Sequence, residues 1–111
     1  MKLNFSISDK ISELNAAYDI YDELSDLDFN KTISEEVNKL DEDLLQITFI
    51  NGNTLDIGWY PAFEEEGEFI IQIISNENWE EPIFKSSAHW NINELNEKFE
   101  EALNICLATV N

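Results

Sequence analysis

The sequence predicts an α+β fold, in which an antiparallel four-stranded meander is flanked by two N-terminal helices and one C-terminal helix, in the order ααββββα. All three glycines and both prolines lie between Gly52 and Pro82, so turn-forming residues are confined to the middle of the chain. In both flanks, apolar residues recur at spacings of three and four, as in amphipathic helices. Because the chain has 111 residues, we expect residues 1–111 to form a single domain.

The first flank is predicted to form two helices joined by residues 25–30. Ser6 and Asp9 have the spacing of a capping box at the start of the first helix. Its apolar stripe is Ile7, Ile11, Leu14, Tyr18, Tyr21 and Leu24. The second helix is predicted to begin at Thr32, with Glu35 in the same capping arrangement. Its inward-facing residues are Ile33, Val37 and Leu40.

The first two predicted strands form a hairpin. Residues 44–50 lead into Asn51-Gly52-Asn53, which favours a tight turn because Asn and Gly tolerate positive φ. The returning strand covers residues 54–60. It ends at Pro61, which lacks a backbone donor.

The third and fourth predicted strands follow two further turns. Glu64 to Gly67 forms the first of these turns, and residues 68–75 form a strand that is apolar on both faces. Such a strand is expected to be central or covered on both sides. Residues 76–81 form the next turn, and residues 83–87 form a strand that Pro82 places at an edge.

The last flank is predicted to be one long helix. Asn91 is a suitable N-cap, and Glu94 follows three residues later. The apolar stripe of this helix is Ile92, Leu95, Phe99, Ala102, Leu103, Cys106 and Val110.

The charge balance restricts the classes of partner. Six Lys, no Arg and 24 acids give a net charge of −18, while 43% of the residues are hydrophobic. That apolar content predicts a folded core rather than an acidic disordered tail. A polyanion lacks the basic surface that binds nucleic acid or anionic membranes, so neither is an expected partner. The partner expected for it is basic.

Few residues offer catalytic chemistry. His89 and Cys106 are the single histidine and the single cysteine. We expect His89 at the surface or at a helix start, and Cys106 as a small buried residue of the last helix. The sequence contains no nucleophile elbow, zinc-protease motif or phosphate-binding loop. No enzymatic activity, catalytic residue or cofactor is therefore predicted.

One segment resembles a calcium loop in part. Residues 26–30 place oxygen-bearing side chains at the first, third and fifth positions of such a loop. Lys31, however, occupies the position that requires Gly, and Val37 replaces the bidentate Glu. A connector between two helices explains the same residues, so no metal site is predicted.

The lone cysteine and the absence of a continuous apolar run in the first residues predict a reducing, cytoplasmic location. No stretch approaches the roughly 18 apolar residues of a membrane span.

Acidic residues concentrate where the predicted sheet turns. Between Lys39 and Lys85 there are eleven acids and no cation. Several acids adjoin large aromatic residues: Trp59, Tyr60 and Phe63 precede the Glu64–Glu68 cluster, and Trp79 adjoins Glu80. Acids around aromatics suit the capture of a basic partner, since charge speeds the encounter and buried aromatics prolong the complex.

The middle segment resembles small bacterial immunity proteins that accompany contact-dependent growth inhibition and other polymorphic toxins. The resemblance rests on Leu55-Asp56-Ile57-Gly58-Trp59-Tyr60-Pro61, on Gly67 opening a strand, and on Trp79-Glu80-Glu81-Pro82 before another. It covers residues 44–107. It implies a cytoplasmic, non-catalytic protein that binds the C-terminal domain of a cognate toxin, often a basic nuclease, and blocks its active site or substrate access. The motif residues themselves, Trp79 included, are expected to be structural.

The predicted contact residues rest on charge and neighbouring aromatics rather than on the resemblance. They are Asp56, Tyr60, Glu64, Glu65, Glu66, Glu68, Glu77, Glu80 and Glu81. A rival surface is the polar face of the first predicted helix, with Asp19, Asp22, Glu23 and Asp26. Two other functions stay open: an acidic nucleic-acid mimic that inhibits a DNA- or RNA-binding enzyme, and a small regulatory adaptor domain.

Overall fold

The computed structural model describes residues 17–108. Its five strands are β1 (Ala17–Asp22), β2 (Leu45–Phe49), β3 (Asn53–Tyr60), β4 (Glu68–Ser75) and β5 (Phe84–Ala88). Its helices are α1 (Ile33–Glu36) and α2 (Ile92–Ala108), and short 3₁₀ turns cover Leu24–Asp26 and Val37–Lys39. The strands form one sheet in the order β1-β2-β3-β4-β5, and every neighbouring pair is antiparallel.

The α+β class and the antiparallel meander are confirmed, but the described residues contain five strands and two helices rather than four and three. The prediction of a helix across residues 18–24 is wrong, because residues 17–22 form β1. Ile20 pairs with Ile47 and Tyr21 with Gln46, which gives the edge of β2 a hydrogen-bonded partner. The spacing of Tyr18, Tyr21 and Leu24 is too short to distinguish a helix from a strand followed by a turn. The rest of that predicted helix, residues 1–16, lies outside the described residues.

The second predicted helix begins where its capping box places it. The backbone N–H of Thr32 donates to Glu35 Oε1 at 3.0 Å, and both halves of the capping box are present. The helix is short: one turn of α1 passes into the 3₁₀ turn Val37–Lys39. Leu40, predicted on its inner face, is fully buried.

The hydrophobic core lies between the sheet and α2. Alternate residues of the three middle strands point to this inner face: Leu45, Ile47, Phe49, Leu55, Ile57, Trp59, Phe69, Ile71 and Ile73. They pack against Leu95, Phe99, Ala102 and Cys106 of α2. The predicted N-cap is present, since Asn91 Oδ1 accepts the Glu94 N–H at 3.0 Å. As predicted, β4 is an interior strand of the sheet, and β5 lies at an edge.

The opposite face of the sheet, which we call the outer face, carries a cross-strand row of Gln46, Asp56, Gln72 and Lys85. The sheet has two ends. The segments 23–44 and 61–67 connect strands at one end, which we call the acidic end for its Asp and Glu residues. The turns 50–52 and 76–83 lie at the other, the hairpin end. The eight residues of β4 separate the two ends by about 25 Å.

Within residues 17–108, no helix is long and apolar enough to cross a membrane.

Candidate partner-binding surface

The nine predicted contact residues divide between the two ends of the sheet. Tyr60, Glu64, Glu65, Glu66 and Glu68 lie at the acidic end, around the β3–β4 connection. Glu77, Glu80 and Glu81 are exposed in the β4–β5 connection at the hairpin end. Asp56 lies between the two groups, in the middle of β3. The structure therefore brings five of the nine together.

Asp56 is only 3% exposed, so its side chain offers almost no surface for contact. Its two carboxylate oxygens accept hydrogen bonds from the flanking amides, Gln46 Nε2 at 3.4 Å and Gln72 Nε2 at 3.3 Å. Burial raises the pKa of Asp56, and the two amide hydrogen bonds partly oppose that rise. Asp56 is therefore a buried residue of the outer-face row, and the prediction that it contacts a partner is not supported by its position.

The β3–β4 connection is anchored to the core by Trp59. Its indole Nε1 donates to the carbonyl oxygen of Glu64 at 2.7 Å, and the Gly67 N–H donates to the same oxygen at 3.1 Å. A Cβ at Gly67 would lie 2.5 Å from the Trp59 Nε1 atom, so only glycine allows this approach. The anchored turn leaves the side chains of Glu64, Glu65 and Glu66 exposed.

Phe63 occupies the centre of this turn and points outward. Its backbone N–H donates to the Leu40 carbonyl at 2.7 Å, its φ is 62°, and its side chain is 53% exposed. A shallow cavity of about 530 Å³ is lined by Val37, Phe63 and the three glutamates 64–66. An exposed aromatic that shares a cavity with three carboxylates is suited to act as an interface anchor. The prediction named Phe63 as a neighbour of the acids but did not include it among the contacts.

A second acidic segment, residues 41–44, runs beside β3 at the same end of the sheet. The Trp59 N–H donates to the Asp41 carbonyl at 2.9 Å, and the Leu44 N–H donates to the Ile57 carbonyl at 3.1 Å. Residues 42 and 43 bulge outward between these two bonds. A Cβ on Gly58 would lie 2.0 Å from the Glu42 carbonyl oxygen, so this close approach requires glycine at position 58. Glu42 and Asp43 are exposed as a result.

Two tyrosines mark how negative this region is. The pKa of Tyr21 is raised to about 12, first by its hydrogen bond with Glu23, then by burial and by the charges of Glu23, Asp41 and Asp43. The pKa of Tyr60 is raised by burial and by nearby carboxylates, of which Asp56 has the largest effect. Ionisation of either phenol is disfavoured because it would add negative charge beside existing carboxylates.

Two of the four residues of the rival surface, Glu23 and Asp26, lie at the acidic end. Glu23 and Asp26 line a cavity of about 330 Å³ together with Asn38, Lys39 and Asp41. The Leu44 carbonyl accepts the Glu23 N–H at 2.8 Å, which holds this turn beside the 41–44 segment. Asp22 instead accepts hydrogen bonds from the backbone and the hydroxyl of Ser25, and Asp19 lies on β1.

The acidic end thus has a defined set of carboxylates that the two predicted surfaces each contained only in part. We take as this set Glu23, Asp26, Asp41, Glu42, Asp43, Glu64, Glu65, Glu66 and Glu68; the 23–44 segment also contains Asp28, Glu35, the buried Glu36 and the exposed cation Lys31. The ammonium of Lys39 lies 3.2 Å from the buried Glu36 carboxylate, so its charge is already paired. Sequence reasoning missed the contribution of residues 41–43, although they belonged to the cation-free span.

The structure places His89, Cys106 and the calcium-like segment as follows. Cys106 is fully buried, and burial raises the pKa of its thiol to about 12. The exposed His89 is hydrogen-bonded to Glu94 through its backbone N–H, and its Nδ1 lies 3.2 Å from Glu94 Oε1. In the calcium-like segment, the Asn30 N–H donates to Asp28 Oδ1 at 2.9 Å. Residues 17–108 contain no group of three or more His, Cys, Asp or Glu residues placed to hold a metal ion.

The motif residues behave as predicted at Gly58, Trp59 and Gly67, which are held by close packing. Trp79 was also predicted to be structural, but its side chain is 47% exposed at the hairpin end and is not part of the buried core.

The chain matches no protein-family model, no curated protein sequence and no solved structure.

Proposed function

We propose that this protein is a cytoplasmic immunity protein that binds the C-terminal domain of a cognate bacterial toxin and neutralises it. The observation that carries the proposal is the exposed Phe63, which lines one cavity with Glu64, Glu65 and Glu66 at the end of the fold that carries these nine carboxylates. The toxin domain in this proposal is a basic nuclease, because a nuclease needs a basic surface to hold phosphate.

The mechanism has an electrostatic step and a packing step. The field of the acidic end attracts the basic surface of the toxin and orients it, which raises the association rate. Phe63 then enters an apolar recess of the toxin and is shielded from water by the surrounding glutamates, as interface anchors are. A protein seated there covers the surface that the nucleic acid needs, so the toxin is inhibited without any chemical step in the immunity protein.

The Trp59 anchor supports this mechanism energetically. A turn that is already fixed loses little conformational freedom when it binds, and less of the interaction free energy is spent on ordering it. The hydrogen bond from Trp59 to Glu64 and the close approach of Gly67 hold the turn in this way.

The nucleic-acid mimic receives less support from the arrangement of charges. A mimic needs carboxylates spaced along one face in the manner of phosphates. Across the outer face, the central row is instead Gln46, Asp56, Gln72 and Lys85, with Asp56 buried. The regulatory adaptor has no observation in its favour.

The test is neutralisation of the toxin encoded beside this chain. The C-terminal domain of the adjacent large reading frame is expressed alone and together with this chain. We expect growth arrest and nucleic-acid degradation in the first case, and restored growth with a stable complex in the second. A neighbouring domain that is harmless, or one that stays toxic in the presence of this chain, contradicts the proposal.

Two double variants make the test specific to the surface. Glu64→Lys with Glu65→Lys reverses charge at the acidic end, and Glu97→Lys with Glu101→Lys makes the same charge change on exposed positions of α2. The first variant should lose protection and the second should keep it. Equal protection by both variants would place the interface elsewhere.

A further inference from the structure

A second surface suited to recognition lies at the hairpin end, on the outer face. A groove of about 380 Å³ runs from β1 to the β4–β5 connection, a volume within the ~300–1,000 Å³ common for ligand sites. Its described lining residues include Tyr18, Thr48, Gly52, Thr54, Glu77 and Trp79. Thr48 and Thr54 are opposite each other on β2 and β3, so they form part of its floor.

Two aromatic side chains line this groove and are open to solvent. Tyr18 is 71% exposed and Trp79 is 47% exposed. Aromatic side chains that line a groove are a common feature of binding sites. Their location on the polar outer face sets them apart from the core aromatics, which cluster around Trp59 and Phe69.

Trp79 is held in place by backbone geometry. The Asn78 N–H donates to the Ser75 carbonyl at 3.1 Å, across a turn in which Asn76 and Glu77 have φ of 53° and 62°. The Asn76 N–H donates to the Gly52 carbonyl at 2.9 Å, which ties this turn to the β2–β3 hairpin. The Trp79 N–H in turn donates to the Glu77 carbonyl at 3.1 Å. These bonds fix the backbone that carries the exposed indole.

The charge at the groove is negative. Glu77 lines it, and none of its described lining residues is Lys or His. Glu80 and Glu81 are exposed in the same connection. Aromatic faces beside a carboxylate favour a cation, and the planar guanidinium group combines stacking on a ring with hydrogen bonds to a carboxylate.

We propose that this groove binds an arginine side chain of a basic polypeptide, with the guanidinium against Trp79 and paired to Glu77, and with Tyr18 lining the β1 side of the groove. The site goes beyond the toxin-binding surface proposed above, and it stands whether or not the partner is a toxin. A second copy of this chain is a poor occupant, because two chains of charge −18 repel each other. A basic polypeptide that also reached the acidic end would be held at two points, which increases the apparent affinity.

The experiment is an NMR titration of the full chain with three capped tripeptides, which carry arginine, lysine or norleucine between two glycines. The Trp79 indole N–H and the Thr48 and Gly52 amides are the reporters. We expect saturable shifts with the arginine peptide in the millimolar range, weaker binding of the lysine peptide, and none of the norleucine peptide. Equal binding of arginine and norleucine would overturn the proposal, since the groove would then be an apolar site.

Two variants test the named contacts. Trp79→Leu should lower the affinity for the arginine peptide roughly fivefold or more, as measured from the amide shifts of Thr48 and Gly52. Glu77→Gln removes the charge without changing the residue to glycine, and it should weaken binding of the arginine peptide roughly threefold. Glu97→Gln removes the same charge on α2 and should leave that affinity unchanged. The assignment would be contradicted if both groove variants kept the affinity of the parent. It would also be contradicted if the reporter shifts changed with protein concentration in the absence of peptide. The toxin-neutralisation assay does not enter this test, so either proposal can fail alone.

Discussion

The indole Nε1 of Trp59 donates a 2.7 Å hydrogen bond to the backbone carbonyl of Glu64. This bond joins the centre of the hydrophobic core to the turn that carries the exposed glutamates and Phe63. The Trp59 ring is itself fixed, because it is fully buried and packs edge-on against Phe69 with ring centroids 4.9 Å apart. The shape of the acidic end is therefore set by core packing.

Trp59→Phe removes this hydrogen bond and part of the buried ring. We expect the free energy of unfolding to fall by about 2–4 kcal/mol, from the cavity and the lost bond together. Urea denaturation measures the loss, and amide exchange at Phe63 and Gly67 should accelerate. The matched control is Trp79→Phe, which should stay within about 0.5 kcal/mol because Trp79 is half-exposed. Similar losses in both variants would show that the Trp59 anchor has no special role.

Gly58→Ala places a methyl group where the Glu42 carbonyl passes. The contact would be 2.0 Å to a backbone atom, so the 41–43 segment must move away from the outer face. We expect destabilisation of about 1–3 kcal/mol and a displaced Asp43 amide resonance. Ser87→Ala is the control, because Ser87 is exposed and lies two strands from Gly58, in the cross-strand row of Gly58, Ile70 and Ser87. An unchanged Asp43 resonance in Gly58→Ala would contradict the close approach of the 41–43 segment to Gly58.

Asp56→Asn should stabilise the protein at neutral pH. Burial raises the pKa of Asp56 above its ordinary value of 3.8, so the stability linked to its protonation is present at low pH and is lost as the pH rises through the folded-state pKa. Asparagine removes that loss. The gain at pH 7 should be about 0.5–2 kcal/mol, the usual range for a stabilising substitution, and it should shrink as the pH falls towards 3.8.

Glu94→Gln is the control for Asp56→Asn, because it removes the same charge with the opposite linkage. The His89 backbone N–H and the nearby His89 ring lower the pKa of Glu94. Its contribution is therefore present at neutral pH and is lost as the pH falls through the folded-state pKa. Urea midpoints across the pH range should show a gain for Asp56→Asn and a loss for Glu94→Gln. Gains of equal size in both would mean that the effect is a general relief of the negative net charge.

Glu77→Gly should also stabilise the protein. Glu77 has a φ of 62°, a conformation that costs an L-residue roughly 1 kcal/mol and costs glycine nothing. The larger entropy of the unfolded glycine chain offsets about 0.4–1 kcal/mol of this, so thermal unfolding should show a net gain of up to about 0.6 kcal/mol. Glu80→Gly, at a position without positive φ, should instead reduce stability. A loss in Glu77→Gly would mean that the Glu77 side chain makes an interaction stronger than the backbone cost.

Local signals in the sequence predicted much of the fold. Thr32 and Glu35 marked a helix start through a capping box whose hydrogen bonds lie within four residues. Gly52 marked the hairpin and adopts a φ of 93°. The first flank was mispredicted because β1 is stabilised by pairing with β2, a contact between residues far apart in the chain. Tyr18 and Tyr21 have no local signal that outweighs their helical spacing.

The candidate site was predictable only where its residues are sequence neighbours. The run Glu64–Glu66 was placed at a turn and is found exposed there. That Asp41, Glu42 and Asp43 join it follows from the bulge over Gly58, which depends on tertiary packing. Glu77, Glu80 and Glu81 appeared close to that run in sequence, but the length of β4 sets them at the other end of the sheet.

Binding through the acidic end is tested by the association rate of the chain with its neighbouring toxin domain at two salt concentrations. Stopped-flow traces compare the parent with Glu64→Lys plus Glu65→Lys and with Glu97→Lys plus Glu101→Lys, which change the net charge equally. We expect the acidic-end variant to associate about tenfold more slowly at low salt, with a weaker salt dependence, and the α2 variant to change less than about twofold. Equal slowing by both variants would contradict binding through the acidic end.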